Sequence, residues 1–241
     1  MKKLRSVFFS VAFVLTLAGA VGEHLSDESQ AISRVPTSHK VVALTIDDGP
    51  HKKVTPEILA ILREKKVRAT FFVLGVNAEH SQQLLAQEVA DGHEIGAHTY
   101  SHPVLSKLEP AKIAAEFDKA EKAILSVAPK PTLFRPPGGF YNPQVINTAR
   151  QKGYTTVLWS IDPRDWSCPP TEKVVEKVLK ETKPGSIILL HDGQFPLPTP
   201  QALAIIIDRL RERGYEFVTV SELLQYNEIQ HSFNLFSFSP W

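Results

Sequence analysis

One cysteine, Cys168, stands in a chain of 241 residues. That scarcity excludes an intrachain disulfide framework and a metal site built from several thiolates. A surplus of one charge is missing too: 27 Lys and Arg against 26 Asp and Glu leave a formal net charge of +1. Without a basic stripe, nucleic acid is not an expected partner. The chain has no short-period repeat and no low-complexity tract, and its 43% hydrophobic and 22% charged residues are those of an ordinary globular protein. The size admits one large domain or two small ones.

The longest early apolar run, Val7 to Ala18, falls short of the roughly 20 residues a membrane span needs. Lys2, Lys3 and Arg5 precede it, and Ala18, Gly19 and Ala20 follow. This charged, apolar, small-residue order is that of a secretory signal. We therefore expect a cleaved signal peptide over residues 1–22, with an uncleaved N-terminal anchor as the alternative. The expected destination is the periplasm, the cell wall or the medium. No cysteine near the small residues supports a lipid anchor. Residues 23–39 are polar and read as a linker, residues 40–224 as one folded domain, and residues 225–241 as a C-terminal tail. The aromatic residues of that tail, Phe233, Phe236, Phe238 and Trp241, are expected to pack over the domain surface.

Within the domain, short apolar runs alternate with helical periodicity. Strands are expected at Val41–Ile46, Ala69–Leu74, Glu94–Ala97, Leu133–Arg135, Thr155–Ile161, Ser186–Leu190 and Glu216–Val220. Helices are expected at Pro56–Lys66, Ser81–Ala90, Pro110–Val127, Pro143–Lys152, Thr171–Thr182 and Gln201–Arg213. The strands are apolar throughout rather than alternating, which argues for parallel strands covered by helices. An open doubly wound sheet and a barrel both satisfy that pattern. Asp47, Asp48, His98, Arg135, Asp162 and His191 each fall at or just past the end of an expected strand. In a closed parallel barrel those ends share one rim, so a barrel is the favoured architecture.

The strand-end residues supply a metal site and acid–base groups together. One carboxylate and two imidazoles make three ligands for a divalent cation and leave a position open for water. His98 and His102 have the spacing that puts two side chains on one face of a helical turn. Asp47 and Asp48, as strand neighbours, should point in different directions and so serve different purposes. Each pair also has a plain reading: a turn before Gly49-Pro50, and two surface histidines before Pro103. His51, His80 and His93 have no comparable context and read as structural or solvent-facing. Arg135 leads into Pro136-Pro137-Gly138-Gly139, a stiff turn whose amide N–H is suited to an oxyanion. Asp165, paired with His191, would raise the imidazole pKa and fix its tautomer, making it a general acid.

Taken in order, Thr45-Ile46-Asp47-Asp48-Gly49-Pro50, His98-Thr99-Tyr100-Ser101-His102, Arg135-Pro136-Pro137-Gly138, Asp162-Pro163-Arg164-Asp165-Trp166 and Leu189-Leu190-His191 closely resemble the polysaccharide deacetylase family, carbohydrate esterase family 4 (the NodB homology domain). The resemblance covers about residues 40–224. It implies a single catalytic domain with a distorted, seven-stranded (β/α) barrel. It also implies metal-dependent removal of N-acetyl groups from an aminosugar polymer. By the same resemblance Asp47 is the general base, and Asp48, His98 and His102 hold the metal. Arg135 holds the base, Asp165 is the partner of the acid His191, and Gly138 supplies the oxyanion N–H. Trp166 and Leu189 are walls of the acetyl pocket. Two positions depart from the family pattern. Ile46 replaces a Phe and keeps the bulk. Gly138 replaces a Tyr, which is expected to open the groove.

Peptidoglycan is the first expected substrate. Chitin or chitooligosaccharide deacetylation, O-acetyl esterase action on xylan, and a non-catalytic glycan-binding protein are the alternatives. Zinc is the first expected metal, with cobalt, nickel or manganese next. The expected partner is the acetylated glycan alone, bound by a monomer.

Overall fold

A computed structural model describes residues 31–228. The expected signal segment and the aromatic residues of the tail lie outside the described residues.

The strand β1 (Val41–Asp47) is buried along its whole length. It pairs in parallel with β2 (Thr70–Val73) on one side and β6 (Ile187–His191) on the other. Outward from β2 the sheet continues through β3 (Glu94–Ala97), β4 (Leu133–Phe134) and β5 (Thr155–Thr156), again all parallel. The spatial order is β5-β4-β3-β2-β1-β6, and β7 (Glu216–Phe217) pairs with the start of β1. An isolated parallel bridge from Ile161 to Ile188 brings the chain beyond β5 back to β6. The sheet thus curls toward closure, as a distorted seven-stranded barrel does.

The apolar strands have a direct cause. Val42, Leu44 and Ile46 of β1 face the outer core with Ile188 and Leu190 of β6, against the covering helices. Val41 and Ala43 face inward with Phe72 and Ile187. Both faces are therefore dry, and neither can carry the polar alternation of a half-exposed strand. Further along the inward row come Thr45 and Asp47, whose register partners on β6 are Leu189 and His191. Along β1 the inward row thus turns polar at its C-terminal end.

The helices cover the outer face with apolar stripes at three- and four-residue spacing. In α1 (Val54–Lys65) the stripe is Ile58, Leu59 and Leu62. In α6 (Thr171–Glu181) it is Val174, Val175 and Val178, and in α7 (Thr199–Glu212) Leu203, Ile206, Ile207 and Leu210. The remaining helices are α2 (Gly75–His80), α3 (Gln82–Ala90), α4 (Pro110–Leu125), α5 (Pro143–Gln151) and α8 (Val220–Leu224). Pro110 and Pro143 each occupy a first helical turn, where no N–H is needed.

The structure departs from the sequence expectations at four places. Gly75 opens α2 instead of merely ending β2, because its N–H bonds to the Thr99 carbonyl. The ladder of β5 stops at Thr156, far short of Ile161. Beyond it the Arg135 side chain takes the Val157 and Leu158 carbonyls at 3.3 and 2.8 Å. The last strand ends at Phe217, because Thr219 and Glu222 form a reciprocal capping box that starts α8. Residues 31–35, part of the stretch read as linker, lie on the sheet. Ile32 bridges Val157, Arg34 bridges Ser186, and Val35 is buried.

Candidate active site

Asp48 follows β1 with φ +78°, which breaks the strand alternation. The expectation that the two aspartates diverge is therefore corrected. Both carboxylates approach the same imidazole, with Asp47 Oδ2 3.8 Å and Asp48 Oδ1 3.4 Å from His98 Nε2. Asp48 Oδ1 is also 3.4 Å from His102 Nε2. The helical-turn explanation for the histidine pair is corrected as well. Residues 98–102 are an irregular loop in which Thr99 and His102 both have positive φ. That loop is clamped by Glu116 of α4, which accepts from the Tyr100 and Ser101 N–H groups and from the Ser101 hydroxyl.

Asp48, His98 and His102 together offer one carboxylate oxygen and two ring nitrogens, all within 4.8 Å of one another. Three observations test this set against a cation. Asp48 Oδ1 is a buried oxygen with no hydrogen-bond partner among the described residues. His98 Nδ1–H donates to the Arg135 carbonyl at 2.7 Å, which leaves the Nε2 lone pair facing Asp48. Burial pushes the His98 pKa down to about 3, despite the opposing pull of Asp48, so the ring is neutral as a ligand must be. A divalent cation fits these donors.

Asp47 is buried on the inner face of β1. Burial raises its pKa, and Arg135 works against that rise through an ion pair of 2.6 Å. Arg135 is itself fully buried. Its guanidinium also donates to the Thr45 hydroxyl and lies 4.1 Å from the Phe72 ring centroid. His191, the register partner of Asp47, stands beside it at the end of β6. Its Nδ1 bonds Asp165 Oδ1 at 2.8 Å, and its backbone N–H bonds Oδ2 at 2.8 Å. Burial would lower the His191 pKa, but the bond and charge of Asp165, with Asp47 and Asp48 behind them, lift it to about 9. At neutral pH the ring is an imidazolium whose Nε2–H is free to be given away.

These groups open into a cleft of about 240 Å³ lined by Asp48, Asn77, His102, Trp166, His191 and Gln194 among others. Trp166 lines the cleft and is 42% exposed. Leu189 does not reach the cleft surface; it lies one layer deeper on the same inward row as His191. Gly138 is exposed with φ +61°, and the Phe140 ring stands 3.0 Å from where a side chain on Gly138 would begin. The exposed Phe140 ring thus stands next to the position where the family pattern has Tyr.

Several contributors were not legible in the sequence. Thr45 braces Arg135, and Thr199 donates to Asp165 Oδ2 at 2.6 Å. Asn77 holds the Asp48 carbonyl at 2.7 Å. Gly193 packs on Asp48 so closely that an added Cβ would sit 2.3 Å from the Asp48 Cβ. No spacing rule points to these residues; only the contacts reveal them. The spare histidines stay outside the site: His51 Nδ1 faces the N–H groups of Lys53 and Val54 at the start of α1, and His93 Nδ1 accepts from the Ala69 N–H.

Comparison with known proteins agrees with this geometry. The polysaccharide deacetylase family matches residues 34–157. A peptidoglycan-N-acetylglucosamine deacetylase of Bacillus cereus is 45% identical over 195 residues, covering 80% of this chain and 92% of that protein. A chitooligosaccharide deacetylase of a Bradyrhizobium species is 39% identical over 196 residues, covering 76% and 90%. Among solved structures, the Bc1960 peptidoglycan N-acetylglucosamine deacetylase, in complex with a naphthalenyl N-hydroxybenzamide, superposes with a TM-score of 0.79 at 35% identity, covering 81% of this chain and 93% of that one. The barrel, the ordered strand-end residues and these matches together place the chain in the polysaccharide deacetylase family, carbohydrate esterase family 4.

Proposed function

We propose that this protein is an exported, metal-dependent hydrolase that removes the N-acetyl group of N-acetylglucosamine in peptidoglycan. The observation that carries the reading is the placement of Asp47 and His191 as register partners beside the Asp48, His98 and His102 donor set. The peptidoglycan substrate is supported by the names of the Bacillus cereus relative and of the Bc1960 structure. The basic, apolar and small-residue N-terminus supports export. No helix among the described residues is long and apolar enough to cross a membrane.

The mixed carboxylate and imidazole set suits zinc first. Asp48, His98 and His102 would hold a divalent cation, which would polarise the acetyl carbonyl and lower the pKa of water toward about 7. The remaining work falls to the chain. Asp47, kept next to Arg135, takes the proton from the attacking water as its oxygen adds to the acetamide carbon. The Gly138 N–H makes no hydrogen bond among the described residues and donates to the developing oxyanion. Asp165 holds the His191 ring by Nδ1, so Nε2 delivers its proton to the departing nitrogen. The C–N bond breaks, and acetate and a free sugar amine result.

Mass spectrometry of peptidoglycan fragments after incubation should show loss of one acetyl mass per modified sugar. Asp47→Asn should abolish that loss while metal content stays near one per chain. Unchanged turnover in that variant would remove Asp47 from the mechanism. The identity to the Bradyrhizobium relative favours chitooligosaccharide as a second substrate. Equal or faster acetate release from chitooligosaccharides than from peptidoglycan would make that the principal activity.

A further inference from the structure

Two cations at the lip of the cleft each rest on an exposed aromatic ring. The Lys53 ammonium lies 4.4 Å from the Phe195 ring centroid, and the Arg164 guanidinium 5.0 Å from that of Trp166. Phe195 is 54% exposed. Neither cation has an ion-pair partner among the described residues. The two pairs belong to one wall. Gln194, immediately before Phe195, donates its amide to the Trp166 carbonyl at 2.7 Å. Gln194 and Trp166 both line the cleft beside His191. Phe140 and Tyr141 also present exposed rings, but no cation sits on either.

An aromatic face accepts the apolar face of a sugar ring. A cation beside it selects for negative charge on that sugar. Chitin-like chains carry none. In peptidoglycan the alternate amino sugar bears a lactyl ether whose carboxylate is free when the chain is bare. When the chain carries stem peptides, the carboxylates belong to the peptide. We infer that the Lys53–Phe195 and Arg164–Trp166 wall is a subsite for the carboxylate-bearing sugar next to the one that is deacetylated, and that it sets a preference for acidic over neutral glycan. The inference rests on the deacetylase reading above and names its substrate class.

The test compares kcat/KM for acetate release from three substrates: bare peptidoglycan chains, stem-bearing chains and a neutral chitooligosaccharide of equal length. Lys53→Glu, alone and with Arg164→Glu, should lower the acidic-to-neutral ratio by about tenfold, the size expected from reversing one or two exposed charges. The loss should appear in KM and not in kcat. Lys53→Arg should retain the preference, and salt should erode it in the wild type. Loss confined to bare chains identifies the lactyl carboxylate, and loss confined to stem-bearing chains identifies the peptide. An unchanged ratio, or equal loss on all three substrates, overturns the inference. Affinity electrophoresis of the metal-stripped protein on the same glycans reads the preference without turnover. A metal-loaded protein that releases no acetate yet still prefers acidic chains through Lys53 would therefore refute the deacetylase reading and leave the acidic-glycan preference of this wall standing.

Discussion

Arg135 holds Asp47 by a buried ion pair of 2.6 Å, and the carbonyl of the same Arg135 fixes the His98 ring at 2.7 Å. One residue thus orients the candidate base through its side chain and a candidate metal ligand through its backbone. Removing the guanidinium strands a buried carboxylate. Arg135→Met should destabilise the fold by about 3–5 kcal/mol, the usual cost of breaking a buried pair on one side. Adding Asp47→Asn should recover part of that loss, because the uncompensated charge is gone. Urea titrations of the two variants check this; equal stability of single and double variants would mean the pair is not coupled.

The Asp165–His191 pair predicts a pH response. The His191 pKa is raised from 6.5 to about 9, so the pair stabilises the fold fully below the lower value and ceases to do so as pH rises through the upper one. In the metal-stripped protein, NMR titration of the His191 ring should give a midpoint near 9. Asp165→Asn should bring it down, and the alkaline limb of activity should move the same way. A ring titrating near its ordinary value in the wild type would end the general-acid role.

Stripping metal with a chelator should abolish acetate release and lower the melting temperature, and adding zinc back should restore both. At a thousandfold excess over Kd, binding contributes about 4 kcal/mol. Gly193→Ala places a methyl group where the Asp48 Cβ already stands. It should weaken metal binding by about tenfold, the effect typical of residues that support a ligand. Metal affinity equal to wild type in a competition with a chromogenic chelator would show that Asp48 can move without cost.

Glu88 stands on the buried face of α3, and neither carboxylate oxygen has a partner among the described residues. Burial first, then the charge of Asp192, holds its pKa well above the usual 4.5. A raised carboxyl pKa favours the fold at low pH and erodes stability as pH climbs past the unfolded value. Glu88→Gln should therefore raise stability at pH 7, because the amide is neutral there without taking up a proton. It should also flatten the stability profile between pH 5 and 8. A profile as steep as that of the wild type would assign the slope to other groups.

Much of the molecule was readable from local pattern. The run Val41–Ile46 and its Asp-Asp-Gly-Pro stop announced β1, and Glu94–Ala97 appeared as written. The periodic apolar positions of α1, α6 and α7 are the ones that face the core. Less legible were elements whose ends are set by distant side chains. β5 ends early where the Arg135 side chain takes the Val157 and Leu158 carbonyls. α2 begins where the Thr99 carbonyl receives the Gly75 N–H.

The sequence alone determined which residue types stand at the strand ends and in what order, because apolar runs and turn residues act on their immediate neighbours. The tertiary structure decided that the two aspartates turn toward one imidazole and that His98 and His102 meet across an irregular loop. It also decided that Asp165 grips His191 twice, at the ring Nδ1 and at the backbone N–H. Those facts depend on left-handed backbone at Asp48, Thr99 and His102 and on the register of β1 against β6. Closing the sheet sets which strand ends face one another, and no local spacing encodes that distance.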